Sequence, residues 1–414
     1  MISRAEGLDR ARAIVGRGGR IAFPPDLGEP DLVADLPDLL DDATAELVLP
    51  HRVRSTELGD LGPRVTIRAI FGAASVGADD YVSLPIEDLP RMIDAGLLPI
   101  DVALVRLSPA DKQGNHCVGP SATLTTELVR NARAVIAEID PDLPLTSGDT
   151  RVPASRIAVA LPARDPLETP ALAQRGEAAE VADRLSRFVA ELIPDRAYIS
   201  VGIGGIAQAI VRRLAGHRGL RLHSGLISPE LREFLESEAC DPDWRPIMGE
   251  AIGPRSLMDY IDGNERLNFQ GTRRIHNPQL LAGYDRFVTV NTVRSVDLRG
   301  QAACEGSPTN RSGGLGGLIA FLVGARLSPG GRTILALTSL ASDGSSRIRA
   351  ALAPGEVSVP SYLVDFVVTE HGIADLRGTT QRETAERLLA IAHPSAQSLL
   401  TKSEGECNVR SVHS

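Results

Sequence analysis

Gly202-Ile203-Gly204-Gly205-Ile206 stands between an apolar strand pattern, Tyr198 to Val201, and a helical one, Ala207 to Leu214. Leu222-His223-Ser224-Gly225 closes the next strand pattern. Strand, glycine turn, helix and strand make a βαβ unit, and ligands of open parallel sheets bind where such loops converge. The run is not the dinucleotide fingerprint: its third glycine position is Ala207, and Gly225 stands where a ribose would need an acid. A second cluster, Ser312-Gly313-Gly314-Leu315-Gly316-Gly317, precedes the apolar stretch Leu318 to Val323. Its backbone N–H groups can meet an anion or a carbonyl oxygen closely.

Around these turns lie side chains with their own chemistry. Glu250 follows Met248-Gly249, Cys304-Glu305 precedes the second glycine cluster, and His223 ends the strand before Gly225. Each is a candidate nucleophile or base, and each has an ordinary reading as a loop carboxylate, a small apolar residue or a packed imidazole. His116-Cys117 lacks further ligands at metal spacing, so no metal is expected. Glu370-His371 reads as packing near the cleft.

The elements that must position these groups alternate along the chain. Gly7 to Val15 reads as a helix, Arg20 to Phe23 as a strand and Asp31 to Leu40 as a helix. Glu46 to Leu49, Val65 to Ile70, Val102 to Leu107 and Ala134 to Ile139 read as strands. After Pro162, Pro166 and Pro170 the pattern restarts with a charged helix, Gly176 to Leu192, then strand, glycine turn, helix, and strand Arg221 to His223. Later strands are expected at Phe287 to Asn291, Thr333 to Leu337 and Phe366 to Thr369, with a frayed tail from Gly405. This is α/β, two tandem open domains, with boundaries at 1–170 and 171–414. The halves read as divergent copies of one architecture.

Composition narrows the classes. The chain of 414 residues exceeds one ordinary core and is 43% hydrophobic. It has no apolar run of membrane-spanning length and no apolar signal-peptide core at Met1 to Glu6. A net charge of -9 and the lack of a basic, aromatic-laced run oppose nucleic-acid binding. Cys117, Cys240, Cys304 and Cys407 are unpaired in spacing, which fits reduced thiols in a cytoplasm. Lys112 and Lys402 are the only lysines beside 42 arginines, so anion contacts fall to Arg or backbone N–H groups.

Many short segments in register carry a resemblance to the acetyl-CoA hydrolase and class I CoA-transferase family. They include Asp101-Val102-Ala103-Leu104, Ser108 to Gly114, Val118-Gly119-Pro120-Ser121 and Thr146-Ser147-Gly148-Asp149. The second half adds Ser256 to Asp262, Val296-Asp297-Leu298-Arg299-Gly300-Gln301, Gly330 to Ile334, Val367 to Gly378 and Ile391-Ala392-His393-Pro394. The resemblance covers roughly residues 95 to 397. It implies two α/β domains, a homodimer, and coenzyme A held mainly by the second domain. It places Gly202, Ile203, Gly204, Gly205, Ile206, Gly313, Gly314, Gly316 and Gly317 against coenzyme A.

The resemblance also implies a catalytic glutamate that attacks the thioester and passes through an acyl-glutamyl anhydride to a glutamyl-CoA thioester. That glutamate falls at Gly225 here. Ser295 stands where many members carry a second glutamate. Gly344-Ser345 replaces a common lysine, for which Arg347 or Arg349 is a substitute grip on phosphate. Three functions follow as expectations: an acyl-CoA transferase or hydrolase; a hydrolase using base-activated water without a glutamyl intermediate, carbon–carbon cleavage included; or a noncatalytic CoA-binding protein.

Overall fold

The computed structural model describes residues 2–49, 58, 60–70, 80–165, 167, 179–202, 204–307 and 313–401. The expected boundary near 170, Ile203 and the tail from Gly405 lie outside them.

In the first half β1 (Gly19–Ala22), β2 (Ala45–Leu49), β3 (Val65–Ala69), β4 (Asp80–Tyr81), β5 (Val102–Leu107), β7 (Ala134–Ile139) and β9 (Val159–Pro162) form one parallel sheet, ordered β4-β3-β2-β1-β5-β7-β9. In the second, β10 (Tyr198–Val201), β11 (Arg221–Ile227), β12 (Ile247–Ala251), β13 (Asn268–Phe269), β14 (Phe287–Thr292), β17 (Arg332–Ala336), β19 (Phe366–Thr369) and β20 (Gly372–Asp375) are ordered β13-β12-β11-β10-β14-β17-β19-β20. Only β20 runs antiparallel. The chain winds outward to one side of β1, then returns to β5 on the other; it does the same around β10 and β14. The two halves therefore share one topology, as the repeated sequence grammar predicted. Small sheets, β6 (Asn115–Cys117) with β8 (Arg151–Pro153), and β16 (Ala302–Ala303), β15 (Ser295–Asp297) and β18 (Ile348–Arg349), sit at matching places in the order.

Strands buried on both faces read as apolar runs, and Val102–Leu107 is buried at every position. Ser3 accepts from the Glu6 N–H and starts the first helix at Arg4, ahead of the predicted Gly7. Pro37 splits the expected helix at 31–40 into a 3-10 turn, Asp31–Asp35, and a short helix, Leu36–Leu40. The predicted helix at 176–192 is described over Ala179–Glu191. The larger correction concerns β11. It was expected to end at His223 but runs to Ile227, because β12 pairs with it through Ala251. Gly225 thus lies within a strand.

The halves are stitched by backbone hydrogen bonds. Ala122 N–H donates to Gly249 O at 2.9 Å and Ala251 N–H to Pro120 O at 2.8 Å. Phe269 N–H donates to Ser147 O at 2.8 Å and Asp149 N–H to Phe269 O at 2.9 Å. First-half loops thereby continue the outer edge of the second sheet.

Candidate functional site

The switch point of the second sheet lies between β10 and β14, where parallel sheets open a crevice at their carboxyl ends. Gly202 follows β10, and its N–H donates to Val290 O at 3.0 Å. Gly204 caps the helix Gly205–Arg213 with φ +107°, a conformation that favours glycine, and a Cβ there would meet nothing within 4 Å. Gly204 therefore faces open space. Ile206 does not: it is buried in the core.

The second cluster divides in the same way. A Cβ on Gly313 would lie 2.4 Å from Cys304 O, and one on Gly317 2.0 Å from His276 Cδ2. Packing alone requires glycine at both. Gly316, at φ +52°, has open space beside it, and its carbonyl accepts from Ile86 N–H of the first half at 2.9 Å. Gly317 caps the helix Leu318–Leu327. Glu87 reaches that helix from the first half and accepts from the Ala320 N–H; burial pushes its carboxyl up to about 7.

His223 and Gly225 share one face of β11. His223 is wholly buried: Nε2 donates to Ile275 O at 2.9 Å, so Nδ1 accepts from the Tyr284 hydroxyl at 3.0 Å. Burial pushes its pKa down to about 4, and it serves as a neutral strut between β11 and the following helices. Beside Gly225, a Cβ would stand 3.4 Å from His276 Nε2 and 3.9 Å from Phe321 Cε2. His276 was not foreseen. It follows Gly225 by more than fifty residues and has no motif of its own; the helix Thr272–Ile275 brings it back over β11.

Glu250 is the one carboxylate carried by β10, β11, β12 or β14 among the described residues. It is 7% exposed and pairs in register with Leu226, next to Gly225 on the adjacent strand. Its Cβ leaves β12 on the face opposite Gly225's, at the seam with the first half. Thr123 N–H donates to its Oε1 at 3.0 Å.

Other candidates are tied into structure. Glu305 accepts from the hydroxyls of Tyr81 (2.6 Å), Ser83 (2.8 Å) and Ser358 (3.0 Å), which makes it a clamp between the halves. Burial pushes the Cys304 thiol up to about 12, away from thiolate chemistry. His116 Nδ1 lies 2.7 Å from Ser108 O, and Glu370 accepts from the Ser339 N–H and hydroxyl. Arg347 is half-buried with no hydrogen bond or ion pair to its guanidinium among the described residues. No group of three or more His, Cys, Asp or Glu is placed to hold a metal among the described residues, and no described helix is long and apolar enough to cross a membrane.

Glycine backbone at a parallel-sheet switch point, with Ile86 of the first half bonded to Gly316 of the second glycine cluster, is a place where an α/β enzyme can hold a ligand. Family models agree: the acetyl-CoA hydrolase/transferase N-terminal domain matches residues 63–170 and its C-terminal domain residues 253–404. The chain belongs to the acetyl-CoA hydrolase/transferase family. It is 32% identical over 330 residues to the 4-hydroxybutyrate coenzyme A transferase of Clostridium kluyveri, covering 78% of this chain and 76% of that one. It is 27% identical over 415 residues to the succinyl-CoA:cyclohexane-1-carboxylate CoA transferase of Geobacter metallireducens, covering 96% and 94%. The crystal structure of RipA from Yersinia pestis shares the fold with a TM-score of 0.87 at 22% identity, over 98% of this chain and 100% of that one.

Proposed function

We propose that this protein moves coenzyme A between an acyl-CoA and a free carboxylate, with Glu250 as the nucleophile. The reading rests on one observation above all: Glu250 is buried on β12 opposite Leu226 of β11, one residue past Gly225, and meets the Thr123 N–H of the first half. A carboxylate supplied from the next strand takes the role that the resemblance gives to position 225.

The steps balance without net proton transfer. A Glu250 oxygen attacks the thioester carbonyl, the C–S bond breaks and CoA leaves as thiolate. The thiolate attacks the glutamyl carbonyl of the mixed anhydride and expels the donor acid as carboxylate. The acceptor carboxylate then attacks the glutamyl-CoA thioester and releases thiolate, which takes the new acyl group from the second anhydride and frees Glu250. Water in place of the acceptor gives hydrolysis. Thr123 N–H orients the carboxylate. Backbone N–H groups of Gly204, Gly205, Gly314, Gly316 and Gly317 stabilise the developing oxyanion and the pantetheine carbonyls, and Arg347 meets a phosphate.

Incubating the protein with acetyl-CoA, butyryl-CoA or succinyl-CoA and digesting it for mass spectrometry tests this. The expected result is a CoA thioester on the Glu250 peptide, converted by borohydride to the alcohol and missing in Glu250→Gln. An adduct on another glutamate, or brisk exchange by Glu250→Gln, would overturn the assignment.

A further inference from the structure

Glu250 is oriented from the first half, so whatever fixes the first half there also aims the carboxylate. Thr123 N–H donates to Glu250 Oε1 at 3.0 Å, and Thr123 O accepts from the Thr272 N–H of the second half at 3.1 Å. Thr123 leads into the helix Thr125–Asn131, and Thr272 opens the helix Thr272–Ile275. The two helix starts approach so closely that a Cβ on Gly271 would lie 2.2 Å from Thr126 Oγ1. Arg273 then spans the junction. Its Nε donates to Glu127 Oε1 and Oε2 at 3.1 and 2.9 Å, and Nη1 and Nη2 donate to Asp94 at 2.8 Å each. Asp94 ends a second first-half helix, Leu89–Asp94. One planar guanidinium thus ties two helices of the first half to the segment that carries Thr272.

We infer that Arg273 is a positioning residue for the transfer reaction: by fixing the helix Thr125–Asn131 against the second half, it holds the Thr123 N–H on Glu250. This rests on the reading of Glu250 as the nucleophile. The backbone bonds at Pro120 and Ala122 fix the chain before Thr123, and Arg273 fixes the helix after it. Arg130 and Asn131 also meet Glu127, but from its own helix, so they set no register between the halves. Glu127 is wholly buried; burial pushes its carboxyl up, and the Arg273 charge opposes that. Removing the cation leaves a buried carboxylate that must shift or take up a proton, and the helix start moves with it.

The rate at which full-length protein mixed with butyryl-CoA forms a CoA thioester on the Glu250 peptide, in a single turnover, separates positioning from binding. Arg273→Met should slow that step about ten- to hundredfold per folded molecule, while coenzyme A binds as tightly as to wild type by calorimetry. Amide exchange in the peptide containing Thr123 should quicken in the same variant. Arg273→Lys keeps the charge and loses the fork, and Asp94→Asn loses one of the two carboxylates. Both should fall between wild type and Arg273→Met, and they carry the test if the methionine variant does not fold. The inference is overturned if the Glu250 adduct forms at the wild-type rate in these variants, if coenzyme A binding weakens as far as the rate falls, or if Arg273→Lys is no faster than Arg273→Met. An adduct on a different glutamate in the wild type would instead remove the Glu250 reading, and the inference with it.

Discussion

The carboxyl ends of β1 and β5 and those of β10 and β14 are the same place in two copies of one topology, filled in opposite ways. In the first half Arg106 on β5 is wholly buried and pairs with Asp31 at 2.6 Å and Asp140 at 2.8 Å. Beside it Glu138 pairs with Arg4 at 2.6 Å and also accepts from the Asp31 N–H. Charges fixed on one another occupy the crevice. In the second half the same level carries Gly202, Gly204 and Gly225, and ionisable groups stand at its margins: Glu250 on β12, Glu87 at the helix end, neutral His276. Buried ion pairs cost desolvation and tolerate no intruder. Glycine with open space beside it, as at Gly204, stands in the second half where the first half holds ion pairs.

Substitutions can break this contrast. The largest effect is expected at Glu250: Glu250→Gln should lower acyl transfer at least roughly a thousandfold, about 4 kcal/mol of barrier, in a CoA-transfer assay. Arg106→Met should do the reverse. Stranding Asp31 and Asp140 without their cation should cost about 3–5 kcal/mol of stability, read from the denaturant midpoint, while transfer per folded molecule stays near wild type.

Glu87 sharpens the boundary between the halves. Its folded pKa of about 7 lies above the unfolded carboxylate value, so its contribution is complete below the unfolded pKa and is lost as pH rises through 7. Glu87→Gln should therefore be more stable than wild type at pH 8, by on the order of 1–2 kcal/mol after allowance for partial solvation, and nearly equal to it at pH 4.5. His223 and His276 run the other way. Their pKa values are depressed to about 4 and about 3, so the stability of holding them neutral is present above pH 6.5 and lost as pH falls toward 4. Proton uptake on unfolding at pH 5, measured by calorimetry in buffers of different ionisation enthalpy, should fall in a His223→Asn, His276→Asn double variant. Gly204→Ala, which puts a side chain at φ +107° and ψ 175°, should cost about 1–3 kcal/mol of stability. Gly204→Val should in addition abolish the rise in melting temperature that coenzyme A confers, and a wild-type rise would take the ligand away from that turn.

Strands buried on both faces were legible because most of their residues are apolar, so Val102–Leu107, Ala134–Ile139, Tyr198–Val201 and Phe366–Thr369 fall where the pattern puts them. The glycine turns were legible as turns. Which glycines face open space was not, because Gly313 and Gly317 are demanded by Cys304 and His276, contacts that depend on tertiary packing. Arg106 lies within an apolar strand pattern, and only the fold reveals that Asp31 and Asp140 meet it. His276 was hidden for the same reason, and the extension of β11 past Gly225 needed β12 alongside.

The loops at Pro120–Ala122 and Ser147–Asp149, laid along β12 and β13, carry one more implication. They are the border strands of a sheet that belongs to the other half. If the chain were cut near residue 170 and the second half produced alone, Gly249 O and Ala251 N–H of β12 and Phe269 N–H and O of β13 would lose these partners, an open edge that can template edge-to-edge aggregation. The first half is in this sense an intramolecular gatekeeper, covering an edge through which its partner would self-associate.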